Sequence, residues 1–519
     1  MMKKSFKFLA IAMGLCVAIS SYAAKKPNII FILADDLGYG DVSCLNPEGK
    51  IKTPVLDKMS ENGLTFTDAH TSSAVCSPTR YGVMTGRYNW RSTLKASVLS
   101  GYSKALIPQD RTTMASMLKA AGYNTALIGK WHLGWDWATF PKNSPEAQAK
   151  FNKGNIVVDY SKPVKNSPKT RGFDYYYSIC GSLDMPPYVY VENDMPTDTS
   201  NDKRAEALYQ NRVGEVASDM VLDQVLANFI DRSCKYIKEQ AKGDKPFFLY
   251  LPLNGPHTPI VPRAESKGKT GLGDYGDFVA EIDQDLNKIF QTLKDEGILD
   301  NTIVVFTSDN GCSPQADFEA LAKFDHDPSY VFRGTKADLF EGGHRVACFV
   351  QWPNGIKKGS KSSQTICLTD FFATFANVAG YELKDNEGED SFDLSPIFKD
   401  EKATNGRQAT IHHSISGEFS IRMGDWKLLV SPSSGGWSFP RPNKDKAAIA
   451  KLPELQLYNL KDDIAEEKNL IKENPEKAKE MLAQLRKEIE DGRSTAGAKQ
   501  ENDGNKNWGQ LKQVNKEYF

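Results

Sequence analysis

A chain of 519 residues exceeds what one hydrophobic core commonly fills, so a large domain with a smaller companion is expected. Lys and Arg number 65 against 66 Asp and Glu, a formal net charge of -1, in an otherwise ordinary globular composition. That balance excludes the wrapping of nucleic acid and a polybasic membrane surface, and it requires any anion recognition to be local.

The opening segment, MMKKSFKFLAIAMGLCVAISSYA, places Lys3, Lys4 and Lys7 before a short apolar run and ends in small residues. It reads as a bacterial-type secretory signal over residues 1–23, cleaved after Ala23, with a periplasmic or secreted mature protein. The run is too short for a membrane anchor and no stop-transfer pattern follows. From Asn28, NIIFILA ends in Asp35 and Asp36, the pattern of a buried parallel strand with polar residues at its C-terminal tip. TALIGK, PFFLYLPL and TIVVFTSDNG repeat the theme, the last ending in Asp309 and Asn310. Helical patterns lie between them, as in FVAEIDQDLNKIFQTLKDEG, where Val279, Ile282, Leu286, Ile289 and Leu293 keep one face apolar. The alternation predicts an α/β fold, a large and mostly parallel sheet covered by helices, with ligand sites at the strand C-terminal ends.

Two stretches, from about Trp135 to Thr170 and from Met185 to about Arg212, lack clear periodicity and are expected as irregular excursions that shape a pocket or merely decorate the scaffold. The chain turns polar near Lys399 to Gly406, after which ATIHHS, IRMGDWKLLV and LQLYNL read as strands of a small sheet and NPEKAKEMLAQLRKEIED as an amphipathic helix. The expected division is a signal over 1–23, an α/β domain over 24–404 and a C-terminal α+β domain over 405–519.

Seven cysteines remain beyond the signal: Cys44, Cys76, Cys180, Cys234, Cys312, Cys348 and Cys367. Odd in number and widely scattered, they form neither a disulfide scaffold nor a zinc site. In CSPTRYGVMTGR, Pro78 favours the first turn of a helix just after Cys76, and Arg80 adds a permanent cation, the setting of an activated nucleophile. Asp35, Asp36, Asp309 and Asn310 would form a hard, all-oxygen set suited to calcium or magnesium and poor for zinc. An isolated Asp after a strand serves equally well as a cap or turn former, but two such clusters favour the cation. GKWHLG puts Lys130 and His132 two apart at a strand end, where alternation would aim both the same way. His257 follows PFFLYLPL, and Lys336 lies in the Gly-rich RGTKADLFEGGHR, in which His344 and Arg345 are expected to support the loop. Lys130 and Lys336 would hold anionic oxygens, and a histidine would give a proton to a leaving oxygen.

PNIIFILADDLGYGD, CSPTRYGVMTGR, GKWHLG, LPLNGPHTP, FTSDNG and RGTKADLFEGGHRV together resemble the motifs of the type I sulfatases of the alkaline phosphatase superfamily. The resemblance runs from Asn28 to Gly380, and IRMGDWKLLV and LYNLKDDIAEEKNL are similar to that family's second domain. It implies an alkaline-phosphatase-like fold and a maturation enzyme that converts Cys76 to formylglycine, whose hydrated form has a second hydroxyl for releasing sulfate. It further implies a calcium ion, with magnesium as the alternative, on Asp35, Asp36, Asp309 and Asn310, facing the modified Cys76. Arg80 and Lys130 would hold the modified residue, His132 would deprotonate it, and His257 and Lys336 would bind the sulfate and assist the leaving oxygen. Ser182, in CGSLDMPP, falls where many relatives place a hydroxyl near the sulfate, and reads equally as a turn residue.

The function so implied is hydrolysis of sulfate esters on a glycan. SLDMPPYVYVEND and IHHSISGEF suggest galactose or N-acetylgalactosamine sulfated at O6. The alternatives are a phosphonate or phosphate ester hydrolase of the same superfamily and a non-catalytic binder of sulfated glycans. The presence of Cys76, His132 and His257 speaks against the binder.

Overall fold

In the run from Asn28 to Asp35 every position between the terminal Asn and Asp is apolar, so both faces of the strand can be buried, and all eight residues are. This strand, β1 (Asn28–Asp35), lies inside a ten-stranded sheet in the computed structural model, which describes residues 25–141, 144–145, 156–199, 204–205 and 211–519. The signal-like segment and parts of both excursions lie outside those residues. The other strands of the sheet are β2 (Leu64–Phe66), β3 (Asn124–Lys130), β4 (Tyr175–Ile179), β5 (Tyr190–Glu192), β6 (Met195–Pro196), β7 (Phe247–Pro256), β8 (Thr302–Ser308), β9 (Cys348–Gln351) and β10 (Ser360–Ser362). Their order is β10-β2-β9-β8-β1-β7-β3-β4-β5-β6. The central run β8-β1-β7-β3-β4 is parallel, and β9 and β5 join its two edges antiparallel. Ala34 pairs with Ser308, Asp35 with Pro256, and Lys130 with Ile179, so these strands finish at one edge.

Alternation along β1 divides the interior in two. Ile30, Ile32 and Ala34 pack with α1 (Pro54–Asn62), α4 (Val225–Gln240) and α5 (Gly273–Asp295). Ile29, Phe31 and Leu33 pack with α2 (Cys76–Thr85), α3 (Met114–Ala120) and α6 (Asp370–Ala379). The C-terminal part forms a separate antiparallel sheet, β11 (Thr410–His413), β12 (Phe419–Met423), β13 (Trp426–Leu429) and β14 (Gln456–Asn459), each paired with the next and backed by α7 (Pro475–Asp491). Trp508 docks into that core, whereas Phe519 is exposed.

The architecture is the expected α/β fold with a small second sheet. One expectation needs correction: the second excursion supplies β5 and β6, because Tyr190 and Val191 suit a buried pleated surface. All seven described cysteines are free; Cys44 is exposed, Cys234 half-buried and the rest buried. No helix among the described residues is long and apolar enough to cross a membrane.

Candidate active site

The strand ends assemble a polar cluster with almost no solvent contact. Asp35 closes β1, and Asp36 takes a left-handed backbone (φ 67°) that turns the chain out of the strand. Asp309 and Asn310 follow β8 directly, and the Asp36 backbone N–H donates to Asp309 Oδ1 at 3.3 Å. Asn310 Nδ2 donates to Asp36 Oδ1 at 2.7 Å.

Cys76 is the first residue of α2, with Val75 as an extended cap, and Pro78 falls in the first turn, where its missing N–H costs nothing. The helix ends at Gly86 in the left-handed conformation (φ 62°). One turn into the helix, Arg80 donates from Nη2 and Nε to Asp309 Oδ2 at 2.7 and 3.0 Å, and from Nη1 to the Lys130 carbonyl at 2.8 Å. Lys130 Nζ reaches Asp35 Oδ2 at 2.5 Å. Lys336 Nζ lies 2.7 and 2.8 Å from the two Asp36 oxygens. Its backbone is tied to the cluster by Lys336 N–H on the Cys312 carbonyl (2.9 Å) and Ala337 N–H on the Ala74 carbonyl (2.8 Å).

His257 follows β7, its Nδ1–H donating to the Thr258 carbonyl at 2.8 Å while Nε2 stands 3.6 Å from Asp36 Oδ2. His132 corrects the alternation argument. Strand β3 stops at Lys130 and His132 is left-handed (φ 52°), so its direction is set by Nε2–H donating to the Leu99 carbonyl at 2.8 Å. Its Nδ1 is buried without a partner. Ser182 sits in the turn beside His132, whose N–H donates to the Cys180 carbonyl at 3.2 Å; the Ser182 hydroxyl is buried, unpartnered, and not on the carboxylates. Sequence reasoning missed the Leu99 carbonyl, which carries no side-chain signature, and Asn254, whose buried Oδ1 also lacks a partner at the end of β7.

Charge sets the protonation states. Burial would raise Asp35, but Lys130, His257, Arg80 and Lys336 outweigh it and hold the carboxyl well below the usual range. Burial and the neighbouring Asp35 charge push Asp309 up to about 7. Burial lowers both His132 and His257, helped in the first by Lys130 and in the second by Lys336. Burial also pushes the Cys76 thiol up in spite of Lys130 and Lys336, so as a thiol this residue is not activated. His344 does support the Lys336 loop, its Nε2 standing 3.0 Å from the Leu339 carbonyl.

The donors suit a hard divalent cation. Ligating atoms of Asp35, Cys76 and Asp309 all lie within 4.8 Å of one another, as do those of Asp35, Asp36 and His257. Asp35 Oδ1 and Asn310 Oδ1 are buried acceptors without hydrogen-bond donors, which a cation would satisfy.

A family model described as Sulfatase matches residues 27–381. An N-acetylgalactosamine-6-O-sulfatase of Bacteroides thetaiotaomicron is 31% identical, over 88% of this chain and 92% of that one. Human arylsulfatase A is 29% identical over 89% of this chain and 86% of its own. A solved structure described under the metabolism of multiple glycosaminoglycans by Bacteroides thetaiotaomicron superposes with a TM-score of 0.76 at 28% identity, covering 89% of this chain and 99% of that one.

Proposed function

Because the chain belongs to the sulfatase family and is a sulfuric ester hydrolase, we propose that it acts on O-sulfated carbohydrates, that Cys76 becomes its formylglycine, and that calcium is held by Asp35, Asp36, Asp309 and Asn310. One observation supports this best: Cys76, four oxygen donors, Arg80, Lys130, His257 and Lys336 converge on one buried spot. Formylglycine, which the family uses, supplies a hydrated aldehyde with one hydroxyl to attack sulfur and another to release sulfate. The divalent ion supplies positive charge beside that hydroxyl.

The chain's own residues do the rest. At the first position of α2, residue 76 lies among backbone N–H groups that have no helical partner and favour anions. Arg80 positions, locking Asp309 and the Lys130 carbonyl. Lys130 and Lys336 bind sulfate oxygens, with Ser182 nearby as a further donor. His132, its Nε2–H held by Leu99, accepts a proton at Nδ1 when sulfate leaves. His257, its Nδ1–H held by Thr258, gives a proton to the departing sugar oxygen from Nε2 only in its imidazolium form, which the Asp36 carboxylate 3.6 Å from Nε2 favours against burial. The similarity to an N-acetylgalactosamine-6-O-sulfatase favours 6-O-sulfated N-acetylgalactosamine or galactose as the sugar. Residues 1–23 export the chain to the periplasm or beyond, where a protein of two domains, 24–404 and 405–519, meets its glycan after maturation of Cys76.

Two measurements together test the reading. Mass analysis of the peptide containing Cys76 is expected to show formylglycine, and the matured protein to release sulfate from 6-O-sulfated N-acetylgalactosamine faster than it cleaves an aryl phosphonate. Preferred cleavage of the phosphonate would make it a phosphonate hydrolase, and an entirely unmodified thiol with glycan binding but no release would make it a binder.

A further inference from the structure

Between β13 and β14, residues 430–455 leave the small sheet and lie on the segment that carries Lys336. The Trp437 and Ser438 N–H groups both donate to Asp338 Oδ1, at 2.7 and 3.0 Å, and the Leu339 N–H donates to the Ser434 carbonyl at 2.7 Å. Gly436 permits the approach, since a Cβ there would stand 2.3 Å from the Ala337 carbonyl oxygen. At its base, Gln456 Nε2 donates to the Ser431 and Ser433 carbonyls at 2.8 and 2.9 Å. The loop is therefore fixed, and fixed to the anion-binding edge of the large sheet.

On this loop two large apolar side chains face solvent: Trp437 is 37% and Phe439 64% exposed, while Lys336, two residues before the Asp338 that the loop is tied to, is only 5% exposed. The next residues are cationic. Arg441, Lys444, Lys446 and Lys451 stand against Asp445, which pairs with Arg441 at 2.9 Å, and Glu454, which pairs with Lys516. Aromatic faces carry negative π density that attracts the C–H face of a sugar ring, and cations attract sulfate. The chemistry that fits both is a pyranose ring followed by further sulfates.

We propose that Trp437 and Phe439, with the cations that follow, form a subsite for the sugar next to the one being desulfated, so that the preferred substrate is an oligosaccharide carrying more than one sulfate. This rests on the glycan-sulfatase reading above and specifies which glycan. The test compares a 6-O-sulfated N-acetylgalactosamine monosaccharide with a chondroitin-type tetrasaccharide bearing the same group and a second sulfate. For the variant Trp437→Ala/Phe439→Ala, the ratio of kcat/KM on the tetrasaccharide to that on the monosaccharide is expected to fall about tenfold through KM, equivalent to ~1.4 kcal/mol. Lys444→Gln/Lys446→Gln/Lys451→Gln is expected to flatten the salt dependence of tetrasaccharide binding, read by titration calorimetry on protein that also carries Cys76→Ala. An unchanged ratio together with an unchanged salt dependence overturns the subsite. Failure of the wild type to desulfate either sugar overturns the glycan-sulfatase reading instead, and the calorimetric comparison still decides the subsite.

Discussion

At residue 76 two demands meet: a side chain able to attack sulfur, and a position that burial makes hostile to a thiolate. The Cys76 thiol is pushed up by burial, so the native sulfur is a poor nucleophile and the chemistry requires its modification. Cys76→Ala is expected to abolish sulfate release while leaving the melting temperature close to that of the wild type, because the side chain is small and makes no hydrogen bond that holds α2. Appreciable residual turnover would refute the assignment. Asp309 does two jobs, anchoring Arg80 through Nη2 and Nε and offering oxygen to a cation. Asp309→Ala is accordingly expected to weaken calcium binding and to cost stability as well, on the order of 3 kcal/mol for a buried arginine left without its partner. Calcium titration followed by calorimetry measures both, and an unaltered calcium affinity would remove Asp309 from the ligand set.

At the scale of elements, the small sheet is fastened to the Lys336 loop through buried charge. Lys427, on β13, reaches Glu341 at 3.0 Å and Glu466 at 2.9 Å, and Glu341 also meets Arg345 and Arg422. Although burial opposes ionisation, Lys427 and its neighbours hold Glu341 well below the usual carboxyl range, whereas burial and the Glu341 charge push Glu466 up to about 7. His344 and His412 stack face to face in the same hub, 3.8 Å between centroids. Lys427→Met would leave two buried carboxyls facing each other without their shared cation. It is expected to destabilise the protein by ~3–5 kcal/mol, read from urea unfolding, with the Lys336 loop loosened in hydrogen exchange. Gly86 ends α2 against Phe372 and Gly388, and a Cβ there would lie 2.8–2.9 Å from both. Gly86→Ala is therefore expected to lower stability by ~1–3 kcal/mol, since strain in the left-handed region adds to the clash.

For the whole molecule, acid stability follows from its histidines. His413 is buried and held down to about 3, and burial lowers His132, His257, His344 and His412 as well. Unfolded histidine takes up its proton near pH 6.5, so below that value the unfolded chain binds protons that the folded protein refuses, and stability falls as pH falls. Each such histidine costs up to ~1.4 kcal/mol per pH unit in that window. Asp309 and Glu466, raised to about 7, and Asp283, raised to about 6, act in the opposite sense in this window, three carboxyls against the five histidines. The urea midpoint is expected to be lower at pH 5 than at pH 7.5, and His413→Asn to reduce the difference. An equal midpoint at both values would show that these histidines are not neutral in the folded state.

Continuous apolar runs that end in Asp or Asn, and helices of 3.6-residue period between them, determined the parallel core and the end of the sheet where polar residues gather. Hydrophobic periodicity is a local signal that survives without knowledge of partners. The spacing of Cys76, Pro78 and Arg80 likewise made α2 and its first residue readable. Short strands such as β2, β9 and β10 were not readable, because their few residues carry too little pattern and are defined by the strands they pair with. His132 was read for its chemistry but not for its direction, which follows from a left-handed backbone and the Leu99 carbonyl distant in sequence. Only tertiary structure decided that Arg80 binds Asp309, that Lys336 binds Asp36, and that a loop of the small sheet is tied to Asp338 beside Lys336. Those contacts join residues 99 to 300 positions apart, and no local pattern encodes which of many charges will meet once the chain is closed.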